Sequence, residues 1–153
     1  RFIAEANAAD MEVTVFYIDL DGFKQVNDTL GHDAGDEVLV QCAERMIAAV
    51  RRSSDLIGRL GGDEFMVALY NTGPASHATS ETAAALLFSL CQPLTLRNGR
   101  SAMIGASIGI ACYPRHGTDA REVVHAADEA MYAVKRTGKN SFAMAAPPHE
   151  HSA

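Results

Sequence analysis

The chain has 153 residues, of which 48% are apolar and 21% are charged, and such proportions are those of an ordinary globular domain rather than of a disordered segment. Its 13 basic and 19 acidic residues give a net charge of −6, which argues against a non-specific nucleic-acid binder, because such a protein carries a basic face. No apolar run is long enough to span a membrane and no secretory signal opens the sequence, so we expect one cytoplasmic domain.

The cysteines number three and are widely spaced: Cys42, Cys91 and Cys112. They lack the CxxC and Cys/His spacings of zinc sites, and an odd number does not suit a disulfide framework. We therefore expect buried thiols in a reducing compartment.

The first half of the chain alternates β-branched apolar runs with helical periodicity. In chain order, it predicts a buried strand over residues 13–20, a short helix over 23–30, a turn over 33–35, a long helix from Asp36, and strands over 55–60 and 64–70 joined by a two-residue turn at Gly61 and Gly62.

The second half shows the same kinds of pattern. It predicts a loop over residues 71–76, a helix over 77–91, strands over 94–96 and 102–113 around an Asn98-Gly99 turn, a helix over 118–137, a strand over 140–144 and an aperiodic tail over 145–153.

This order of elements predicts an α+β domain with a mainly antiparallel central sheet and helices on one side. A doubly wound parallel sheet is disfavoured, because the position after the first strand holds DLDGFK instead of a glycine-rich phosphate loop. We expect the domain to occupy residues 1–144 and the remainder to be a tail or linker.

Two acidic clusters carry the chemistry. Asp19 and Asp21 end the first strand, and Asp63 and Glu64 follow the glycine pair. If the hairpin pairs beside the first strand, the clusters meet at one sheet edge and form an oxygen-only site that suits Mg²⁺ or Mn²⁺, as in phosphoryl and nucleotidyl transfer. The alternative is that these acids are merely solvated.

The residues around these clusters resemble a known family. The string RLGGDEF at residues 59–65 resembles the signature of the GGDEF-domain diguanylate cyclases. The runs DLDGFK, ND, GH and GD before it, and SIGIA, AD, AMY, K and GKN after it, are similar to the family's other motifs in order and spacing. The resemblance covers roughly residues 13–142.

The resemblance implies a fold similar to the palm of polymerases and adenylate cyclases, and the condensation of two GTP molecules into cyclic di-GMP with release of pyrophosphate. It implies that Mg²⁺ or Mn²⁺ is held by Asp19, the Leu20 carbonyl, Asp63 and Glu64. Asp63, Glu64 and Lys24 are then the catalytic positions, with Asp63 more credible as a ligand than as a base, because a carboxylate bound to a divalent cation is a poor base.

The resemblance also implies substrate-binding positions. Asn27 and Asp36 match guanine-reading positions, and a carboxylate can accept both the N1–H and N2–H₂ of guanine. The remaining substrate-binding positions are Phe23, His32, Gly61, Gly62, Lys135 and Lys139. The structural alternatives are a polar helix end at Asn27, a helix N-cap at Asp36 and a structural histidine in the turn at His32. Lys139 stands where the family often has arginine.

An RxxD motif, Arg52 to Asp55, lies five residues before the glycine pair and resembles the family's inhibitory product site. The alternative is an ion pair at a helix end.

Family context sets the expected partners. The resemblance implies a homodimer for activity, an upstream sensor and, in some relatives, a downstream phosphodiesterase domain, so the full-length protein could be membrane-anchored through other regions. The family's DxLTxLxNR segment is represented only by its end, at Arg1-Phe2. The competing hypothesis is a catalytically weak module that binds cyclic di-GMP or GTP, but such modules usually lose an acid that this chain keeps in Asp63 and Glu64.

Overall fold

The computed structural model describes residues 12–50, 56–70 and 77–146. The strands in these residues are β1 (Val13–Asp21), β2 (Leu56–Gly61), β3 (Glu64–Tyr70), β4 (Leu94–Thr95), β5 (Ser101–Ala102), β6 (Gly105–Tyr113) and β7 (Ser141–Met144). The helices are α1 (Phe23–Leu30), α2 (His32–Val50), α3 (His77–Leu90) and α4 (Ala120–Arg136).

A five-stranded sheet in the order β2-β3-β1-β6-β7 organises the domain. β1 lies at its centre and pairs antiparallel with both β3 and β6, and β6 pairs parallel with β7. The predicted α+β class with a mainly antiparallel sheet is therefore confirmed. β4 and β5 form a separate two-stranded ribbon.

Helices cover both faces of the sheet, so the expectation of helices on one side is wrong. Successive side chains of β1 point to opposite faces. Phe16, Ile18 and Leu20 pack in the core beneath α1, α2 and α3. Val13 and Val15 pack in a second core beneath α4. Because β1 is apolar at consecutive positions, both of its faces need cover.

The helix α4 lies unusually close to the sheet at Gly109. A Cβ atom there would overlap the Ala127 carbonyl and the Met131 backbone. Glycine is thus required at this position so that the helix can rest on the strand, and α4 reaches the sheet edge where the acidic residues lie.

The long helix α2 begins at His32, so the predicted turn over residues 33–35 is wrong. The Gly35 amide donates to the Gly31 carbonyl at 3.1 Å, which closes the first helical turn. Ala34 and Gly35 are buried against α1, and this packing overrides the low helix propensity of glycine.

The hairpin turn is formed by Gly62 and Asp63, one residue later than predicted, because Gly61 still pairs with Glu64. The β2–β3 register shifts between Arg59 and Gly61, so Leu60 is a bulge. Gly61 and Gly62 have φ values of 152° and 48°, in the region that favours glycine.

The predicted strand over residues 102–113 is broken into β5 and β6. Met103 is exposed and Ile104 is buried at the break. β5 therefore pairs with β4 in the separate ribbon instead of extending β6.

Several sequence predictions lie outside the described residues. They are the Arg52–Asp55 product site, the loop over residues 71–76 and most of the tail. Within the described ranges, no helix combines the length and apolarity needed to cross a bilayer. Cys42 and Cys112 are buried free thiols, as predicted, whereas Cys91 is partly exposed.

Candidate active site

The β1–β3 pairing brings the two acidic clusters together. Asp19 lies directly opposite Glu64 in the ladder. The Leu20 amide donates to the Asp63 carbonyl at 3.1 Å, so the turn that carries Asp63 is tied to the end of β1. Three carboxylates from sequence positions more than 40 residues apart thus lie at one edge of the sheet.

The surroundings of Asp19 disfavour its ionised form. Burial, together with the negative charges of Asp63 and Glu64, raises its pKa to about 6, although Lys135 acts in the opposite direction. Its Oδ1 atom is buried and has no hydrogen-bond partner. A buried, unpartnered carboxylate oxygen beside two further acids is a site that a divalent cation would satisfy.

The donor set suits Mg²⁺ or Mn²⁺, because it consists of carboxylate and backbone oxygens. Within the described residues, no three acidic, histidine or cysteine side chains already form a ready-made metal cluster. Proteins commonly bind Mg²⁺ through one or two carboxylates together with substrate phosphates rather than in a complete protein cage.

Asp21 has a different role from its neighbour. Its side chain is buried and accepts hydrogen bonds from Ser107 Oγ at 2.9 Å, from the Asn140 amide at 2.9 Å and from Lys135 Nζ at 3.0 Å. Both of its carboxylate oxygens accept hydrogen bonds from protein donors. Asp21 therefore joins β1, β6 and the end of α4 instead of facing a ligand.

Lys135 lies between the two aspartates of β1. Its Nζ atom is 3.0 Å from Asp21 and 3.4 Å from Asp19. Burial alone would lower the pKa of Lys135, but these two partners outweigh it and raise the pKa. The sequence assigned this lysine to phosphates, and in the structure its charge is shared by the two carboxylates.

The candidate guanine-binding residues lie where α1 meets α2. Asn27 is half-buried on α1, whereas Asp36, His32 and Lys24 are exposed. Asp36 is the fifth residue of α2, so the N-cap alternative for it is wrong. Phe23 is buried in the core beneath the helices, next to Gly35.

Gly35 lets the Asn27 side chain lie directly on the α2 backbone. A Cβ atom at Gly35 would overlap Asn27 Oδ1, whereas Phe23 would remain at an ordinary 3.4 Å. The asparagine amide can rotate away from an added methyl group. A methyl group at Gly35 would therefore displace the Asn27 side chain without disturbing the fold.

Replacing Gly35 by Ala is expected to weaken GTP binding about tenfold, the loss of one good hydrogen bond to the base. Stability should change little, because the preference of about 1 kcal/mol for alanine over glycine in a helix offsets the cost of displacing the Asn27 side chain. Calorimetry with GTP and thermal unfolding would measure both effects. Gly58→Ala is the control, since nothing lies within 4 Å of its added Cβ. Unchanged GTP affinity in Gly35→Ala would remove Asn27 from the base site.

The remaining predicted positions frame this edge. Gly61, at the end of β2, and Gly62, in the hairpin turn, are both exposed, and Arg59 Nε donates to the Gly62 carbonyl at 3.0 Å, which stabilises the turn. Lys139 is exposed with φ of 63°, next to the Asn140 amide that binds Asp21. Arg52 and Asp55 lie outside the described residues.

Sequence reasoning missed the roles of four residues. Tyr17 donates a hydrogen bond to Glu64, Ser107 and Asn140 donate to Asp21, and Gly35 accommodates Asn27. Strand alternation could have found Tyr17, because residues 17 and 19 share one face of β1. The polar Ser107 within an apolar strand was also a detectable signal.

Comparison with known proteins gives consistent results. The family model described as "Diguanylate cyclase, GGDEF domain" matches residues 2–141. The chain is 41% identical over 145 residues to the diguanylate cyclase TpbB of Pseudomonas aeruginosa, covering 95% of this chain and 33% of TpbB. It is 43% identical over 140 residues to the bifunctional diguanylate cyclase/cyclic di-GMP phosphodiesterase MucR of the same species, covering 92% of this chain and 20% of MucR.

Solved structures show the same relationship. The crystal structure of the GGDEF domain of TpbB matches with a TM-score of 0.85 and 40% identity, over 94% of this chain and 88% of that one. The GGDEF domain of DgcB from Caulobacter crescentus, solved in complex with c-di-GMP, matches with a TM-score of 0.80 and 28% identity, over 92% of this chain and 82% of that one. The chain spans a third of full-length TpbB and a fifth of full-length MucR. It belongs to the diguanylate cyclase GGDEF domain family.

Proposed function

We propose that this domain synthesises cyclic di-GMP from two GTP molecules, in a reaction that depends on Mg²⁺ or Mn²⁺. The observation that carries the proposal is the meeting of Asp19, Asp63 and Glu64 at one sheet edge, with a buried Asp19 oxygen left unpartnered. The family match, and the names of relatives such as TpbB, support the same activity.

The reaction consists of two nucleotidyl transfers. The 3′-hydroxyl of one GTP attacks the α-phosphorus of the other, a new P–O bond forms, and the bond to the leaving pyrophosphate breaks. The hydroxyl proton passes to solvent or to a nearby base. Repeating the step in the opposite direction closes the ring. A bound divalent cation would lower the pKa of the hydroxyl and stabilise charge on the pyrophosphate.

The chain's own residues place the reactants. Asp19, the Leu20 carbonyl, Asp63 and Glu64 would hold the cation at the edge of the sheet. Asp19 and Leu20 belong to β1, which is paired on both sides, and Glu64 begins the neighbouring strand β3, so most of these oxygens lie on paired strands of the sheet.

The lysine side chains of the site face the phosphates in this proposal. The exposed Lys24 and Lys139 supply mobile positive charges, whereas Lys135 supplies a charge that Asp21 keeps beside the carboxylates. The exposed Gly61 and Gly62, which lack side chains, leave room for the phosphate chain to approach the backbone. Asn27 and Asp36 read the guanine edge, while Phe23 and His32 support that end of the site.

Two copies of the domain act together. Each copy carries one set of carboxylates and one base site, and the reaction needs two nucleotides facing each other. We therefore propose a homodimer as the active form, in the cytoplasm, within a longer protein whose other domains would supply the input signal.

The direct test is to incubate the chain, and a forced dimer of it, with GTP and Mg²⁺ and to separate the products by chromatography. Cyclic di-GMP and pyrophosphate are expected from the dimer, and none when EDTA is added. Binding of GTP or cyclic di-GMP without any turnover would instead make the domain a receptor module.

Product feedback is the regulatory part of the proposal. Arg52 offers a planar donor fork for a phosphate or guanine edge, and Asp55 can accept from guanine N1–H and N2–H₂. Arg52→Ala is expected to weaken cyclic di-GMP binding at least tenfold and to relieve inhibition, with little change in turnover at low product. Calorimetry with cyclic di-GMP would measure this. Unchanged affinity would leave Arg52 and Asp55 as a surface ion pair, with any inhibition arising at the active site.

A further inference from the structure

We propose that Tyr17 is a positioning residue, whose hydroxyl holds the Glu64 carboxylate in the orientation that the divalent cation requires. This inference rests on the proposed function, because it concerns the same metal site. It adds a residue from outside the acidic motifs to that site.

The contact is a side-chain hydrogen bond between neighbouring strands. Tyr17 Oη donates to Glu64 Oε1 at 3.0 Å in a partly buried environment, although the residues are 47 positions apart in sequence. Tyr17 pairs with Met66 in the β1–β3 ladder, so Glu64 is its diagonal neighbour. Diagonal neighbours on one sheet face are about 7–8 Å apart, a separation that only long side chains bridge.

The direction of the bond suits a metal ligand. A glutamate has three flexible torsions, and Glu64 faces two other negative groups, Asp19 and Asp63, that would repel it outward. A neutral hydroxyl donor fixes one carboxylate oxygen without adding positive charge. The second oxygen and the full negative charge remain for the cation.

The neighbouring carboxylate is held in a different way. Asp19 is paired with the ammonium of Lys135, which neutralises part of its charge. Glu64 has no lysine or arginine partner among the described residues, and Tyr17 is its hydrogen-bond donor. The site thus combines the Asp19 carboxylate, which is paired with the Lys135 ammonium, with the Glu64 carboxylate, which is oriented by the Tyr17 hydroxyl.

Tyr17 is well suited to this role because its ring is fixed. The ring packs against the apolar cluster formed by α4 and the sheet, and it has only two torsions to order. Because the Tyr17 ring is already ordered, little further conformational entropy is lost when its hydroxyl orients Glu64 for the bound cation.

Tyr17→Phe tests the inference, because it removes only the hydroxyl. Mn²⁺ affinity, measured on the full chain by electron paramagnetic resonance of free Mn²⁺, is expected to fall about tenfold, the usual cost of losing a group that orients a metal ligand. Activity of the dimer should fall at low Mg²⁺ and recover as Mg²⁺ is raised. A residue that served only the fold would not give this recovery.

Tyr113→Phe is the matched control. Tyr113 pairs with Val13, at the far end of β1 from Asp19, about 20 Å away at the usual strand rise. Removing the Tyr113 hydroxyl should leave Mn²⁺ affinity unchanged. Equal Mn²⁺ affinity in Tyr17→Phe and in the parent chain would overturn the inference. If the parent chain binds Mn²⁺ but makes no cyclic di-GMP, the proposed function fails while the Tyr17 comparison still stands.

Discussion

Asp63→Asn is expected to lower the rate of cyclic di-GMP formation about a thousandfold and to make the metal-free domain more stable. The rate falls because the substitution removes a proposed ligand, and each tenfold corresponds to about 1.4 kcal/mol of transition-state stabilisation. Stability rises because Asp63 is the charge that most strongly disfavours ionised Asp19. Relief of about 1 kcal/mol at a solvated pair corresponds to about 2–4 °C in Tm for a domain of this size.

The pH dependence of this stability gain has a definite sign. The folded-state pKa of Asp19 is about 6, above its usual value of 3.8. Ionisation of Asp19 therefore lowers the free energy of unfolding, and this loss is fully present above pH 6. As the pH falls through 6 the carboxyl takes up a proton and the repulsion disappears. The stability difference between Asp63→Asn and the parent chain should therefore be largest above pH 6 and shrink below it.

Thermal unfolding in EDTA across pH 4–8 and product chromatography would measure the two effects. Glu44→Gln, which neutralises an exposed acid on α2, is the control and should leave both quantities unchanged. Parent-level turnover in Asp63→Asn, or a loss of stability above pH 6, would contradict the site as described.

Asp36→Ala is expected to weaken GTP binding about a hundredfold while leaving ATP binding almost unchanged. A carboxylate can accept the two adjacent donors of guanine, and hydrogen bonds to a charged group contribute about 1.5–3 kcal/mol. Adenine lacks the exocyclic N2 donor, so it loses little.

The neighbouring Asp33 provides the control for this prediction. Both acids are exposed and lie near the start of α2, but Asp33 occupies the first turn, where a negative charge stabilises the helix by about 0.3–1 kcal/mol. Asp33→Ala should lower stability slightly and spare GTP affinity. Equal losses of GTP and ATP affinity in Asp36→Ala, measured by calorimetry, would mean that this carboxylate does not read the base.

The strands and the hairpin could be predicted because they depend on local signals: residues 13–20 are apolar and β-branched, and the glycine pair marks a tight turn. The meeting of the two acidic clusters followed only on the condition that the hairpin pairs beside the first strand, and the β1–β3 pairing meets that condition. The start of α2 was predicted too late, because burial of Gly35 against Asn27 is a tertiary contact that outweighs the propensity of glycine.

The roles of Asp21 and Lys135 could not be read from the sequence. Asp21 differs from Asp19 by two positions on the same face of β1, and only the positions of Ser107 and Asn140 decide that it faces inward. Lys135 likewise finds its aspartate partners through the packing of α4 on Gly109. Such distinctions depend on side-chain geometry between elements that are far apart along the chain.

The contacts of Asp21 also determine when the site can come into being as the chain folds. Its partners Ser107, Lys135 and Asn140 lie 86, 114 and 119 residues further along the chain. Until those segments are present, the carboxylate has none of these donors, and bringing them together requires closing very long loops. Contacts of such separation form slowly and give a folding reaction dominated by non-local pairing. During synthesis on the ribosome, the N-terminal acidic residues therefore remain without their supporting network until α4 and the residues after it have emerged.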